Sequence, residues 1–157
     1  MSDASQILLE ACAVKKAYEL GRNRLEILHG VDFAVGRGEF VALRGASGAG
    51  KSTLLHLLGG LDRPDGGVIR FDQTDFSGLS ETELSRLRNR LIGFVFQAYH
   101  LLPELDALEN VCLPARLARF SAAESALAAR QLLERVGLGE RLGHRPRQLS
   151  GGEQQRV

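Results

Sequence analysis

The feature that most constrains this chain is the stretch GASGAGKS, residues 45–52, which fills every fixed position of the pattern G-x-x-x-x-G-K-[ST]. It follows the short apolar run 40–43, typical of a buried strand, and precedes a run without helix breakers from Lys51 to Gly59. Glycines let successive backbone N–H groups turn toward phosphate oxygens, and the N-terminus of the next helix adds partial positive charge. The stretch predicts a phosphate cradle; a glycine-rich turn with a surface lysine is the alternative.

The chemistry of this cradle centres on Lys51 and Ser52. A lysine at this position reaches the β- and γ-phosphates of a nucleoside triphosphate, and the hydroxyl after it ligates Mg²⁺. We therefore expect ATP and Mg²⁺ to bind here. A cradle alone fits kinases, GTPases and many motors, so other residues must separate these classes.

The pattern of the chain changes near residue 98. Before it, apolar runs separated by turn residues predict strands, and Ser80 three residues before Glu83 predicts a capping box at the start of a polar helix. After it, Ala, Leu and Arg recur at helical spacing, which predicts a mostly helical subdomain. The predicted strands are residues 7–14, 30–35, 40–43, 68–71 and 91–97. The residues expected to interrupt or close the later helices are Pro103, Pro114, Gly137 and Gly139.

A second glycine-rich stretch, LSGGEQQRV at residues 149–157, lies about a hundred residues after the first. Ser150 is followed by two glycines and a polar, helix-favouring run, which is typical of a helix N-terminus that can meet an anion. By itself the stretch could be a capped helix start. Behind a phosphate cradle it predicts a second phosphate-contacting element, and such a run has no place in most nucleoside kinases or GTPases.

Together these stretches resemble the nucleotide-binding domains of ABC ATPases, from about Ile7 to Val157. The runs LLHLLGGLD, FVFQAYHLLPELDALENV and HRPRQLSGGEQQRV resemble the lipoprotein-releasing and macrolide-exporting branch; Asp106 stands where that branch would have threonine. The resemblance implies an α/β fold, a P-loop NTPase core over residues 1–97 and a helical signature subdomain over residues 98–157. It also implies that the fold is C-terminally incomplete.

The resemblance implies roles for particular residues. Tyr18 would stack on the adenine, although a tyrosine at a strand end is the plainer interpretation. Gln97 would be catalytic, reaching both the metal and the attacking water. The metal-contacting residues would be Ser52 and Gln97. The residues expected to contact ATP from its own subunit are Tyr18, Gly45, Ser47, Gly48, Ala49, Gly50, Lys51, Ser52 and Thr53. Those expected to contact ATP from the second subunit of a head-to-tail homodimer are Ser150, Gly151, Gly152, Glu153 and Gln154.

The family pattern continues beyond the signature helix with groups that this sequence does not contain. These are a strand ending in a metal-supporting aspartate, a glutamate base and a switch histidine. Phosphoryl transfer to water depends on such groups, so we expect the 157-residue chain to hydrolyse ATP very slowly, if at all. Without the later strands, residues 40–43 would present an unpaired edge, so we expect a marginally stable or aggregation-prone fragment.

The functional expectation is the ATP-binding subunit of an ABC transporter that works with a separate integral membrane permease, peripheral on the cytoplasmic face of the cell membrane. The permease would dock near Gln97 and residues 98–110. Alternatives are a non-transport ABC ATPase or a non-catalytic ATP-binding regulatory module.

The net charge of +1 disfavours nucleic acid as a partner. The absence of a long apolar stretch or a leader in residues 1–14 predicts no direct membrane insertion. Cys12 and Cys112 predict neither zinc nor a disulfide scaffold.

Overall fold

The computed structural model describes residues 7–21 and 23–157. Residues 1–6, which belong to the predicted first domain and to the stretch searched for a leader, lie outside the described residues. The chain divides into two compact units, Met1–Arg88 and Asn89–Val157. This division falls before the boundary predicted at residue 98, and the assignment of functional domains stays a prediction. Within the described ranges, no helix is long and apolar enough to cross a membrane.

The first unit is built on an antiparallel sheet of order β2-β1-β3-β4. Its strands are β1 Ile7–Leu20, β2 Asn23–Gly36, β3 Gly66–Phe71 and β4 Thr74–Asp75. Two helices lie among these strands in the sequence. Helix α1, Lys51–Leu58, lies between β2 and β3, and helix α2, Glu81–Leu91, comes after β4. Both helices begin where the sequence predicted, and the Ser80 hydroxyl and Glu83 carboxylate form the predicted capping bonds.

The core of this unit lies between the sheet and α1. Val14 and Ile69 are fully buried on the sheet, and Leu54 and Leu57 are buried on α1. These leucines are three apart, which places them on one helix face and leaves the polar start of α1 free. The core thereby fixes the position of α1, the helix that begins at the end of the phosphate cradle.

Two predicted strands are wrong. Residues 40–43 and 92–97 form neither strand nor helix, and Phe40 and Val95 are 97% and 90% exposed. A strand needs a neighbouring strand to satisfy its backbone, and in the described part of the chain β1 to β4 pair only with one another. The two runs are apolar, as strands often are, but an apolar composition does not by itself supply a strand to pair with.

The second unit is helical, as predicted, with α3 Ala107–Leu117, α4 Ala122–Arg135 and α5 Gly151–Arg156. A small apolar cluster joins the helices to the segment between α4 and α5. It comprises Ala107, Leu133, Leu138 and Leu149.

Asp106 is the N-cap of α3 and forms a capping box with Glu109, a role that the threonine of the related pattern could also fill. Pro114 was expected to interrupt this region but lies inside α3; a proline there removes one backbone bond, and the helix still runs on to Leu117.

Candidate nucleotide-binding site

Two glycines shape the phosphate loop, which we define as residues 45–53. Gly48 and Gly50 have φ of +81° and +80°, in the left-handed region where a side chain is strained. Gly50 is also the N-cap of α1. A Cβ there would lie 2.8 Å from Leu28 Cδ2 and 3.0 Å from Ile27 Cγ2, so the loop passes directly against β2. Glycine is therefore required at Gly50 by both conformation and space.

The loop leaves most of its backbone donors unpaired. Ala49 N–H donates to the carbonyl oxygen of Ala46 at 3.2 Å, and no side chain caps α1. Among the described residues, no protein acceptor takes the remaining N–H groups along the start of the helix. These belong to Ser47, Gly48, Gly50, Lys51, Ser52 and Thr53. A helix N-terminus with several unpaired N–H groups and no acidic residue in its first turn favours an anion.

Lys51 brings a positive charge to the same place. Its Nζ donates to the carbonyl oxygens of Gly45 and Ala46 at 2.9 and 2.7 Å. These bonds fold the side chain back along the loop, so the ammonium lies beside the unpaired N–H groups. An oxygen of a phosphate would compete with these carbonyls for the same protons, and a charged acceptor makes the stronger bond. The loop thus holds the donor set expected for a triphosphate.

Tyr18 lies on β1 and is 39% exposed. Its hydroxyl donates to Asp62 Oδ2 at 3.0 Å. Burial and this hydrogen bond raise the pKa of Tyr18, and the side chain of Thr53 acts in the opposite sense. The predicted base-stacking residue therefore lies close to the last residue of the phosphate loop. Sequence reasoning missed Asp62 and Lys16, which contact Tyr18; the only signal was the spacing of Lys16 two residues before Tyr18 on a strand.

The second unit carries Gln97, which is exposed in a bend after α2. Contacts on either side of it reach the signature segment, residues 149–157. Gln155 Nε2 donates to the carbonyl oxygen of Phe96 at 3.3 Å, and the Tyr99 hydroxyl lies 3.0 Å from where a Cβ on Gly151 would be. The segment around Gln97 is therefore connected to α5, although Gln97 and the phosphate loop belong to different units.

The signature segment is capped by its own side chains. Ser150 Oγ accepts Glu153 N–H at 3.3 Å, and Glu153 Oε2 accepts Ser150 N–H at 2.7 Å. These bonds, with Arg141 Nε 3.1 Å from Glu153 Oε1, lower the pKa of Glu153 to about 2. Gln154 Nε2 donates to the carbonyl oxygen of Leu149 at 2.9 Å. Within residues 7–21 and 23–157, the N–H groups of Gly151 and Gly152 have no protein acceptor.

The predicted metal-contacting residues are oxygen donors that suit Mg²⁺. Ser52 offers a hydroxyl at the start of α1 and Gln97 an amide oxygen. In the described part of the chain, no cluster of three or more His, Cys, Asp or Glu side chains could hold an ion. Mg²⁺ commonly takes few protein ligands and completes its shell with substrate phosphates and water. Each of these two side chains, taken by itself, fits an ion that arrives with a nucleotide.

Comparison with known proteins defines the class. The model of the ABC transporter family matches residues 28–157, so the chain belongs to the ABC transporter family. The lipoprotein-releasing system ATP-binding protein LolD of Hydrogenovibrio crunogenus is 50% identical over 153 residues, covering 98% of this chain and 66% of that protein. LolD of Geobacter metallireducens is 51% identical over 150 residues, covering 96% and 67%. The chain thus spans about two thirds of the length of these relatives. The predicted family resemblance is confirmed.

Solved structures agree on the fold. A dimeric post-hydrolysis structure of the ATP-binding cassette MJ0796, bound to ADP and phosphate, has a TM-score of 0.87 at 38% identity. The matched region is 95% of this chain and 66% of the MJ0796 chain. A second dimeric structure of MJ0796, a bacterial ABC transporter cassette, has a TM-score of 0.86 at 40% identity. The predicted α/β P-loop fold with a helical subdomain is confirmed.

Proposed function

We propose that this chain is the ATP-binding part of an ABC transporter subunit, which couples ATP binding and hydrolysis to movement in a separate membrane permease. The observation that carries the proposal is the unpaired N–H groups beside Lys51 at the start of α1. Every helix start leaves N–H groups without a partner, but here the glycine loop and the Lys51 ammonium add further donors at the same place. Family membership and a dimeric structural neighbour bound to ADP and phosphate support the same function.

In this proposal the phosphate loop binds the triphosphate through its backbone. The N–H groups of residues 47–53 donate to phosphate oxygens, and Lys51 exchanges its two carbonyl acceptors for the β- and γ-phosphates. Ser52 and Gln97 would hold Mg²⁺, which when bound neutralises charge on the same phosphates. Tyr18 stacks on the adenine. Gln97 also orients the water that attacks the γ-phosphate.

The signature segment acts on the nucleotide of a second copy. The N–H groups of Gly151 and Gly152 and the hydroxyl proton of Ser150 are available donors, because Ser150 uses its oxygen, and not its proton, in the cap. Glu153 and Gln154 hold the start of α5 in place for this contact. ATP thereby joins two subunits head to tail, and hydrolysis releases them.

The relatives support a role in transport. Two relatives that are similar over nearly the whole chain are described as lipoprotein-releasing system ATP-binding proteins. We propose the same process here, with an integral membrane permease docking near Gln97 and residues 98–110 at the cytoplasmic face of the cell membrane. The permease, and not this chain, selects the cargo.

ATP binding is tested by calorimetric titration of the full chain with Mg²⁺ and ATP. Lys51→Ala should weaken ATP by about 100-fold, because it removes charge-assisted bonds to two phosphates. Lys15→Ala removes an equal charge from an exposed strand position and serves as the matched control, with no change expected. Unchanged affinity in Lys51→Ala would overturn the proposed site.

The transporter role is tested by isolating the tagged protein from detergent-solubilised membranes of its source cells. Recovery of one integral membrane protein with it, in an amount that changes with ATP, is the expected result. Recovery of ATP-binding protein with no membrane partner would favour a non-transport ABC ATPase. Association with a longer ATP-binding subunit alone would favour a regulatory module.

A further inference from the structure

Lys16 and Asp62 form a partly buried ion pair beside Tyr18, in which the lysine is buried and the aspartate side chain is 33% exposed. Lys16 Nζ lies 2.8 Å from Asp62 Oδ1 and also donates to the carbonyl oxygen of Arg63 at 2.8 Å. Lys16 is only 9% exposed. A charge at this depth needs such partners, because removing an unpaired charge from water is costly. The lysine end of the pair is therefore held inside the fold by these two acceptors.

The Asp62 carboxylate joins the lysine to the tyrosine. Its Oδ1 accepts Lys16 and the Arg63 N–H, and its Oδ2 accepts the Tyr18 hydroxyl at 3.0 Å. Burial by itself would raise the pKa of Asp62, but the hydrogen bonds from Lys16, the Arg63 N–H and Tyr18 together lower it. The carboxylate thus remains an acceptor at neutral pH and fixes the tip of the tyrosine side chain.

Lys16 also contacts the ring itself. Its Nζ lies over the Tyr18 ring, 5.1 Å from the centroid, which is within the range of a cation–π interaction. The register of β1 against β2 shifts between Lys16 and Ala17, and with this irregularity the strand brings the ammonium and the ring together. Tyr18 as a residue is nevertheless 39% exposed. One face is therefore held by the protein while an exposed part of the ring can receive a planar group.

We propose that Lys16 and Asp62 are positioning residues that fix the Tyr18 ring as the stacking platform for the nucleobase. This inference rests on the proposed function. Asp62 follows α1 closely in sequence, and the phosphate loop opens the same helix. The pair therefore sets the position of the base platform relative to the phosphate loop, and it acts on the base without touching the phosphates.

The test compares ATP with inorganic tripolyphosphate, which has the phosphates but no base. Both are titrated calorimetrically into the full chain carrying Lys16→Met, Asp62→Asn or Tyr18→Phe. We expect each variant to bind ATP about three- to tenfold more weakly, the loss of one or two hydrogen bonds, while tripolyphosphate affinity stays within about twofold. Lys16→Arg keeps the charge and should restore most of the ATP affinity. Lys15→Met, at the exposed neighbouring position, is the matched control and should change neither ligand.

The two affinities separate the possible outcomes. Parallel loss of ATP and tripolyphosphate binding would show a merely structural role and overturn the inference, as would unchanged ATP affinity in all three variants. If the wild-type chain binds ATP no more tightly than tripolyphosphate, there is no base platform to position. If it binds neither ligand, the proposed function itself fails. Should Lys16→Met not fold, Tyr18→Phe decides the question, because it removes only the hydroxyl.

Discussion

The phosphate loop and the signature segment are both glycine-rich starts of helices, yet they are built in opposite ways. The phosphate loop begins α1 with a left-handed Gly50, no side-chain cap and no acidic residue in the first turn. The signature segment begins α5 with Ser150 and Glu153 satisfying each other's backbone. Both leave N–H groups without a protein acceptor, but only the second is capped by its own side chains. The difference indicates that the phosphate loop can bind an anion without a second subunit, whereas the signature segment is formed for contact with a second subunit.

The largest expected effect tests the geometry of the phosphate loop. Gly50→Ala should lower the free energy of unfolding by about 2 to 3 kcal/mol, because it combines positive φ with a clash against β2. Gly48→Ala is the matched control: it shares the positive φ but has nothing within 4 Å of the added carbon, so about 1 to 2 kcal/mol is expected. Urea denaturation measures both. Equal losses would mean that Gly50 is not packed against Leu28 and Ile27.

A smaller effect tests whether the signature helix is self-capped. Ser150→Ala should cost about 1 kcal/mol of unfolding free energy by removing the N-cap acceptor. Ser121→Ala removes the same cap from α4 and should cost about as much. Only Ser150→Ala should also weaken ATP-dependent association of two copies, measured by sedimentation. A Ser150→Ala chain with wild-type stability would contradict the capping box.

The smallest effect is the pH dependence of this cap. The pKa of Glu153 is lowered from its ordinary 4.5 to about 2, first by the Ser150 backbone and hydroxyl and then by Arg141. A lowered pKa stabilises the folded state above about pH 4.5, and that contribution is lost as the pH falls toward about 2. The stability gap between wild type and Glu153→Gln should narrow over this interval in thermal melts. If the stability difference between wild type and Glu153→Gln does not vary with pH, the charge of Glu153 does not contribute to the cap.

Local signals predicted the helices well. The start of α1 follows from the glycine loop before Lys51, and the start of α2 follows from Ser80 and Glu83, because capping chemistry lies within a few residues of sequence. Phe40 and Val95 show the opposite case. Their apolar runs predicted strands, but strand formation depends on a partner that is distant in sequence, and neither run has one among the described strands.

The candidate site divides in the same way. Its phosphate-binding half could be predicted because the loop is a continuous stretch whose residue types carry the chemistry. The Lys16, Asp62 and Tyr18 network could not, because Asp62 lies far from Tyr18 in sequence and is brought to it only by the packing of α1 on β1. The cap at Ser150 agrees with the capped helix start that its sequence allowed, and the pattern of a serine three residues before a glutamate is its signal.

The central claim is that the phosphate loop binds a triphosphate through its own free backbone donors while the signature segment does not. The most direct test is a titration of dilute, ¹⁵N-labelled chain with inorganic tripolyphosphate, followed amide by amide by NMR. We predict that the amide resonances of residues 47–53 move and that those of Gly151 and Gly152 stay in place, because the latter act on the nucleotide of a second copy. Shifts confined to the signature segment, or none in the phosphate loop, would contradict the account.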